Sequence, residues 1–261
     1  MSADPLFPNG ASCPIPALPP PVKVGMVTPP PRACSYLPDR QTTLRAFYIS
    51  RLPSDLYHDF LDAGFRRAGR IVYQPICQGC RACMPIRVSV ADFAENKSLR
   101  RCRKRNADLK VSIAPPRLTD EKFDLYRRYL AERHARKLPT DEGEPEENKE
   151  SLDEFLYQSP VDTLEFVYRD STGRLVAVGI CDICSRSISS VYFYFDPSDS
   201  RRGLGNFGAL TEIDCARQLK IPWWYLGYWV KGCRAMEYKA DFHPHELLHP
   251  DGVWRGEAKG V

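Results

Sequence analysis

A pattern late in the chain constrains the fold more than any other stretch. An apolar, aromatic run at 191–195 ends before Pro197, because proline cannot continue the ladder of a central strand. A glycine turn at Gly203 and Gly205 follows, then apolar residues at helical spacing, then a second aromatic run at 223–229. This order predicts a parallel βαβ unit, and we expect its first strand to be buried on both faces.

The glycine turn also predicts an anion site, with a phosphate as the expected ligand. A helix that begins there presents unpaired backbone N–H groups and the positive end of its dipole, and glycine lets a phosphate approach closely. Arg201 and Arg202 place two positive charges beside Gly203 and Gly205. The alternative, a tight turn that needs a positive φ next to two solvated arginines, is equally compatible with the pattern.

Composition limits the class of protein. The 261 residues are enough for one large domain or two small ones, and 43% hydrophobic with 27% charged residues is typical of a globular chain. A net charge of +4 does not by itself indicate nucleic acid. No apolar run approaches the ~20 residues of a membrane helix, and prolines interrupt the start, so we expect neither a membrane span nor a secretory leader. Ten clustered cysteines favour a reducing compartment, and we expect a cytoplasmic protein.

Changes in composition divide the chain into three parts. Residues 1–33 hold ten prolines and predict a disordered tail, because proline interrupts both helices and central strands. Residues 34–115 predict a small, cysteine-containing α/β unit. Residues 116–261 predict a larger catalytic domain, in which Thr119 caps a helix and the acidic segment 141–154 forms a loop.

The expected fold class is α/β (α+β), a mixed sheet with flanking helices. The other predicted elements are a helix from Pro53 and strands at 70–73, 86–90, 109–113, 163–168 and 175–184.

Three cysteines at two-residue spacing form the sharpest local motif. At the spacing of Cys77, Cys80 and Cys83, sulfur atoms can converge on one ion, and thiolates favour Zn²⁺ or an iron–sulfur cluster. A closed site needs a fourth ligand, for which Cys34 is the candidate. The alternative is a set of reduced thiols, because no second C-x-x-C pair completes the motif.

The segment 97–105 carries six basic residues in nine positions, among them Arg101, Arg103 and Arg105. On a helix these charges would cover most of the circumference, which suits a phosphate backbone. We favour contact with RNA over a merely solvated surface.

Several separate motifs, in the same order, resemble the arginyl-tRNA–protein transferase family between about Cys34 and Trp254. They read CSYLPDR at 34–40, the cysteine cluster at 77–83 leading into PIRV at 85–88, FYFDP at 193–197 with GLG at 203–205, LGYWVKGC at 226–233, MEYK at 236–239 and FHP at 242–244. The length of the chain and the CSYL run are most similar to the short bacterial branch of the family.

The resemblance implies an aminoacyl-tRNA-dependent enzyme of the N-degron pathway. It would move leucine from leucyl-tRNA to proteins whose first residue is Asp or Glu, with neither DNA nor membrane as a partner. It also implies an acetyltransferase-like (GNAT-like) fold for the catalytic half. Ser200 departs from the first position of the phosphate turn in acetyl-CoA users, which counts against a CoA substrate.

The chemistry of the implied reaction suggests roles for single residues. An aminoacyl ester is already activated, so transfer requires no cofactor. Asp196 is the candidate that orients or deprotonates the amine, with Tyr228 and Lys239 as further catalytic candidates. Arg234 and Lys239 are candidates for the acidic side chain of the acceptor, and Tyr228 and Trp229 for stacking on the terminal adenine or lining a leucyl pocket. The aromatic pair is equally compatible with core packing.

Three other functions stay open from the sequence. Arginine rather than leucine could be the donated residue, acetyl-CoA could be the donor, or the chain could be a non-enzymatic module that binds a metal and RNA.

Overall fold

The computed structural model describes residues 25–135 and 148–256. Most of the predicted disordered tail (1–24) and half of the acidic segment (141–147) lie outside the described residues. Residues 25–33 are described and pair with the chain that follows, since the backbone of Val27 exchanges hydrogen bonds of 2.8 Å with that of Ala46. Within the described ranges, no helix is both long and apolar enough to span a bilayer.

The described residues form the following elements. The strands are β1 (Arg32–Ala33), β2 (Gln41–Thr42), β3 (Leu44–Tyr48), β4 (Arg66–Ala68), β5 (Ile71–Pro75), β6 (Met84–Ser89), β7 (Lys110–Ala114), β8 (Thr163–Arg169), β9 (Leu175–Ile183), β10 (Ser187–Phe195), β11 (Trp223–Trp229), β12 (His245–Leu248) and β13 (Trp254–Gly256). The helices are α1 (Ser54–Asp62), α2 (Lys97–Arg105), α3 (Asp120–Ala135), α4 (Lys149–Leu152), α5 (Leu204–Gln218) and α6 (Arg234–Glu237). Short 3₁₀ turns lie at Pro197–Arg202 and Tyr238–Asp241, and a π-helical turn at Asp153–Tyr157.

One large mixed sheet organises the molecule. Its eight strands run in the order β13-β12-β6-β11-β10-β9-β8-β7. β10 and β11 are parallel and are connected through α5, as predicted, whereas the other neighbours are antiparallel. A smaller sheet, β3-β5-β4, carries α1. The predicted fold class, a mixed sheet with flanking helices, is confirmed.

The large sheet takes strands from both sides of residue 115, the predicted domain boundary. β6 lies between β12 and β11, with Val88 opposite Trp224, and β7 forms the far edge. Ile86 and Val88 of β6 are fully buried in the same core as α5. The division into units 34–115 and 116–261 stays a prediction, but the two ranges share one sheet.

The core has a layer on each face of this sheet. β9 is an apolar run buried along its first eight residues, and its side chains alternate between the two layers. From Ala177 onward this alternation is regular: Ala177 and Cys181 pack in the layer that holds α5, while Val178 and Ile180 pack in the layer that holds α3. Cys181 and Cys184 are buried core residues, as predicted.

A buried ion pair fixes the small sheet to the large one. Arg67 of β4 donates from Nε and Nη2 to both carboxylate oxygens of Asp182 in β9, at 2.7 and 2.6 Å. The hydroxyl of Tyr57 in α1 also donates to Asp182, at 2.7 Å. Both charged side chains are fully enclosed, so their geometry sets how the small sheet lies against the large one.

Candidate functional site

A cleft opens where the parallel strands β10 and β11 separate. They pair only from Ser187 opposite Trp223 to Ser189 opposite Tyr225. Each then has a register shift against its other neighbour, between Ser190 and Tyr192 in β10 and between Tyr225 and Gly227 in β11. The cleft measures about 520 Å³. The aromatic run of β10 is therefore half-buried at 191–193, which corrects the prediction that both of its faces are buried.

Two cations lie in the wall of this cleft, Arg66 of β4 and Lys239 of the 3₁₀ turn after α6. The guanidinium of Arg66 donates from Nη1 to Ser189 Oγ at 2.8 Å and from Nη2 to the carbonyl of Ser190. Lys239 Nζ donates to the carbonyl of Tyr228 at 2.9 Å. Both side chains are buried, each with 9% of the residue exposed.

Burial lowers the pKa of Lys239 to about 7, and the charge of Arg66 lowers it further in the same direction. The ammonium of Lys239 can therefore give up a proton near neutral pH, which an exposed lysine cannot do. Such a shift inside a cleft is typical of functional sites. The predicted candidate Lys239 thus lies where a substrate would meet it.

Aromatic side chains form much of the remaining wall. Its tyrosines are Tyr36, Tyr73, Tyr129, Tyr192, Tyr228 and Tyr238. The ring of Tyr129 lies 5.2 Å from that of Phe195. Flat aromatic surfaces of this kind suit a stacked base or an apolar side chain.

Asp196 lies at the end of β10, and its carboxylate is bound by other residues of this chain. Its carboxylate accepts hydrogen bonds from the backbone N–H and hydroxyl of Ser198, at 3.0 and 2.6 Å, and faces Arg128 at 3.2 Å. Burial alone would raise the pKa of Asp196, but the hydrogen bonds from Ser198 and the charge of Arg128 lower it. This environment favours a capping role over the predicted general base.

The other aromatic and basic candidates differ in their surroundings. Tyr228 lines the cleft, but its hydroxyl donates to the carbonyl of Gly64 at 2.9 Å, and burial raises its pKa well above the ordinary value. Trp229 packs against the core cluster on the α5 face and does not line the cleft. Arg234 is exposed at the start of α6 and is likewise not part of the cleft wall.

The basic helix α2 packs against the glycine turn. The Cys102 thiol donates to the carbonyl of Gly203 at 3.2 Å, and Arg105 donates to the carbonyl of Arg201 at 2.7 Å. Gly203 has a φ of 70°, so the tight-turn explanation applies to this position. A Cβ at Gly205, by contrast, would meet no atom within 4 Å. The basic segment and the turn thus form one surface.

Not every arginine of this surface is available to a ligand. Arg103 is bound by Glu95 and Asp214, both at 2.6 Å, and Arg202 is bound by Asp108 at 2.7 Å. Arg101, Arg105 and Arg201 are exposed. Of the described carboxylates, none lies within ion-pair distance of these three residues. They are the arginines that a phosphate backbone could contact.

The cysteine motif lies behind the cleft. Cys77, Cys80 and Cys83 line a smaller pocket that shares Tyr228 with the cleft. Burial, followed by the neighbouring thiols Cys77 and Cys34, raises the pKa of Cys83 to about 12, which favours the protonated thiol. Among the described residues no group of three or more Cys, His, Asp or Glu side chains is placed to hold a metal ion, and the described cysteines are free thiols. A Zn²⁺ or iron–sulfur site at Cys34, Cys77, Cys80 and Cys83 stays a prediction.

Solved structures of several enzymes resemble this fold at low identity. The C-terminal domain of a putative lysylphosphatidylglycerol synthetase from Agrobacterium fabrum is 17% identical, with a TM-score of 0.46 over 81% of this chain and 65% of that one. A GCN5-related glucosamine N-acetyltransferase region of a fungal β-N-acetylglucosaminidase is 12% identical, with a TM-score of 0.40 over 74% of this chain and 21% of that one.

Family models and curated relatives match most of the chain. Residues 32–101 match the model of the N terminus of arginine-tRNA-protein transferase, and residues 121–249 match that of its C terminus. The chain is 42% identical over 220 residues to the aspartate/glutamate leucyltransferase of Pseudomonas fluorescens (strain SBW25) and 41% identical to that of Pseudomonas putida (strain W619). Each match covers 84% of this chain and 91% of the relative. The chain therefore belongs to the arginine-tRNA-protein transferase family, whose members are aminoacyltransferases that use aminoacyl-tRNA.

Proposed function

We propose that this enzyme transfers leucine from leucyl-tRNA to the α-amino group of proteins whose first residue is Asp or Glu, and so marks them for degradation. The cleft between β10 and β11, with its aromatic wall and its two buried cations, carries this proposal. The names of the relatives at about 40% identity support leucine as the donated residue. The proposal places the reaction in the cytoplasm, and it includes neither DNA nor a membrane.

The surface formed by α2 and the glycine turn supports a path for the tRNA. Arg101 and Arg105 are exposed on α2, and the contact of Arg105 with the Arg201 carbonyl joins that helix to the start of α5. Exposed arginines bind a phosphate backbone without reading its sequence. β10 and α5 are consecutive elements of the βαβ unit, and β10 forms one side of the cleft. A tRNA bound on this surface would therefore have its acceptor end near the cleft.

In this proposal, most of the rate acceleration comes from holding the acceptor amine beside the leucyl ester. The neutral acceptor amine attacks the carbonyl carbon of the leucyl ester and forms the new C–N bond. The amine nitrogen then loses a proton, the ester C–O bond breaks, and the departing oxygen takes up a proton to leave as the tRNA hydroxyl. An α-amino group has a pKa of about 7.7–8.0, so a useful fraction is neutral near pH 7. Lys239, whose pKa burial lowers to about 7, lies in the cleft wall, where it can contact the acceptor.

The proposal is tested by following labelled leucine from leucyl-tRNA to a peptide that begins with Asp. A peptide beginning with Ala serves as the acceptor control, and arginyl-tRNA is assayed in parallel as the donor control. We expect transfer only from leucyl-tRNA and only to the acidic peptide. Transfer from arginyl-tRNA alone would replace leucine by arginine in the proposal, and no transfer from intact charged tRNA would refute it.

A further inference from the structure

Arg66 is a buried cation that forms no ion pair with a described carboxylate, although its charge acts on the buried carboxyl of Glu212. Its sequence neighbour Arg67 is bound by Asp182 in two hydrogen bonds, whereas Arg66 donates to the neutral oxygens of Ser189 and Ser190. A buried charge without a counter-ion is costly, because neutral hydrogen bonds replace only part of its hydration. A position of this kind is suited to an anion supplied by a ligand.

The space in front of Arg66 is kept open by Gly227. A Cβ built at Gly227 would lie 3.5 Å from Lys239 Nζ and 3.6 Å from both Nε and Nη2 of Arg66. The φ of Gly227 is 89°, a conformation that disfavours any side chain there. The two cations therefore flank one gap in the wall of the cleft.

The edge of the guanidinium that faces this gap has a specific geometry. Nη1 and Nη2 are anchored on β10, and Nε with Nη2 forms the edge nearest to Gly227. Such an edge presents two parallel N–H donors, which match the two oxygens of a planar carboxylate. Lys239 adds a third donor from the other side of the gap.

We infer that Arg66 and Lys239 bind the side-chain carboxylate of the acceptor protein's first residue and thereby select Asp and Glu. This inference rests on the proposed function, and it identifies a specificity-determining residue, Arg66, outside the motifs of the C-terminal part of the chain. The acceptor's α-amino nitrogen, which is three bonds from the carboxylate carbon in Asp and four in Glu, would then lie in the open part of the cleft, where the leucyl ester must be presented.

The test compares peptides that begin with Asp or with Asn, which have the same shape but differ in charge. In the wild type we expect kcat/KM for the Asp peptide to exceed that for the Asn peptide by at least about 100-fold, because a site built to pair a charge rejects the analogue that lacks it. In Arg66→Gln the Asp peptide should lose most of this advantage, while the value for the Asn peptide and the KM for leucyl-tRNA stay within about three-fold. Arg66→Lys keeps the positive charge but lacks the two parallel N–H donors. Its preference for the Asp peptide over the Asn peptide should lie between those of the wild type and Arg66→Gln.

Arg186→Gln is the matched control, because it removes the same charge from an exposed position that does not line the cleft. It should leave the preference for Asp over Asn unchanged. An unchanged preference in Arg66→Gln, or a defect confined to the KM for leucyl-tRNA, would overturn the inference, and the latter would assign Arg66 to the tRNA instead. A wild type that transfers nothing to either peptide would contradict the proposed function itself.

A measurement on the wild type covers the case in which the Arg66 variants do not fold. Acetic anhydride modifies neutral amines, and mass spectrometry can follow its reaction with Lys239. The Asp peptide should slow this modification, whereas the Asn peptide should not. Equal protection by both peptides, or by neither, would refute binding of the carboxylate at this gap.

Discussion

Gly208 of α5 lies directly against the ring of Phe193 in β10, so that a Cβ built at Gly208 would be 2.3 Å from Phe193 Cε2. Because no side chain separates them, the helix packs closely on the sheet. Phe193 also lines the cleft. The distance between α5 and β10 therefore affects both the stability of the fold and the shape of the site.

We expect Gly208→Ala to destabilise the protein by about 1–3 kcal/mol, a typical cost of overpacking, and to lower transferase activity by displacing Phe193. Urea unfolding and an assay of leucine transfer measure the two effects. Gly205→Ala is the control in the same helix, since its Cβ would meet no atom within 4 Å. It should leave stability unchanged or raise it by up to about 1 kcal/mol. Equal losses of stability in both variants would contradict close packing at Gly208.

The Glu212 carboxyl lies buried beneath the bulge of β10. It accepts hydrogen bonds from Trp224 Nε1 at 2.8 Å and from the hydroxyl of Ser190 at 3.3 Å. Burial raises the pKa of Glu212 to about 7 from an ordinary value of 4.5, although these hydrogen bonds act in the opposite direction. Below pH 4.5 the group is protonated in both the folded and the unfolded protein. As pH rises to 7 the unfolded chain loses the proton first, so the folded state loses relative stability.

Glu212→Gln should therefore become more stable than the wild type as pH rises from 4.5 to 7. The amide can accept from Trp224 and donate to Ser190 without a charge. Above pH 7 the difference in the free energy of unfolding should be about 3 kcal/mol, as expected from a shift of between two and three pKa units. Urea unfolding at pH 5 and pH 8 measures it. A difference that is the same at both pH values would exclude a protonated Glu212 in the folded protein.

Asp182→Asn should destabilise the protein by about 3–5 kcal/mol, because it leaves the buried guanidinium of Arg67 without a counter-ion. Arg186→Ala is the control: it removes an exposed ion pair with Asp59, whose atoms lie 2.9 Å apart, and should cost less than about 1 kcal/mol. Denaturant unfolding compares the two variants. A small effect of Asp182→Asn would mean that the two sheets are held together chiefly by apolar packing.

Replacing Arg101 and Arg105 together by Glu should weaken the binding of tRNA and reduce its dependence on salt, because fewer counter-ions are released from the phosphates. Filter binding across a series of salt concentrations measures both quantities. The control replaces Arg51 and Lys220 by Glu, an equal change of charge at exposed positions that are not part of α2. If both double variants bind tRNA with the same affinity and the same salt slope, the surface formed by α2 does not contact it.

Local patterns in the sequence predicted most of the secondary structure. The alternation at 86–90 predicted β6, and the apolar spacing after Gly203 predicted α5, because these periods follow from the geometry of each element alone. The basic run formed the helix α2, with Leu99 and Cys102 as its buried face. Lys239 was a candidate from the sequence and lies in the cleft. These features needed no knowledge of distant contacts.

No local pattern in the sequence marked Arg66 as a site residue, because its partner Ser189 lies 123 positions further along the chain. The sequence by itself determined the family, the order of the elements and the parallel βαβ unit, since helical and strand periods are local properties of the chain. Only the tertiary structure decided that β10 and β11 separate after Ser189, that Asp196 caps a turn, and that Arg66 faces the same gap as Lys239. Strand register and bulges depend on partners far along the chain, and no local pattern records which side chains will meet across them.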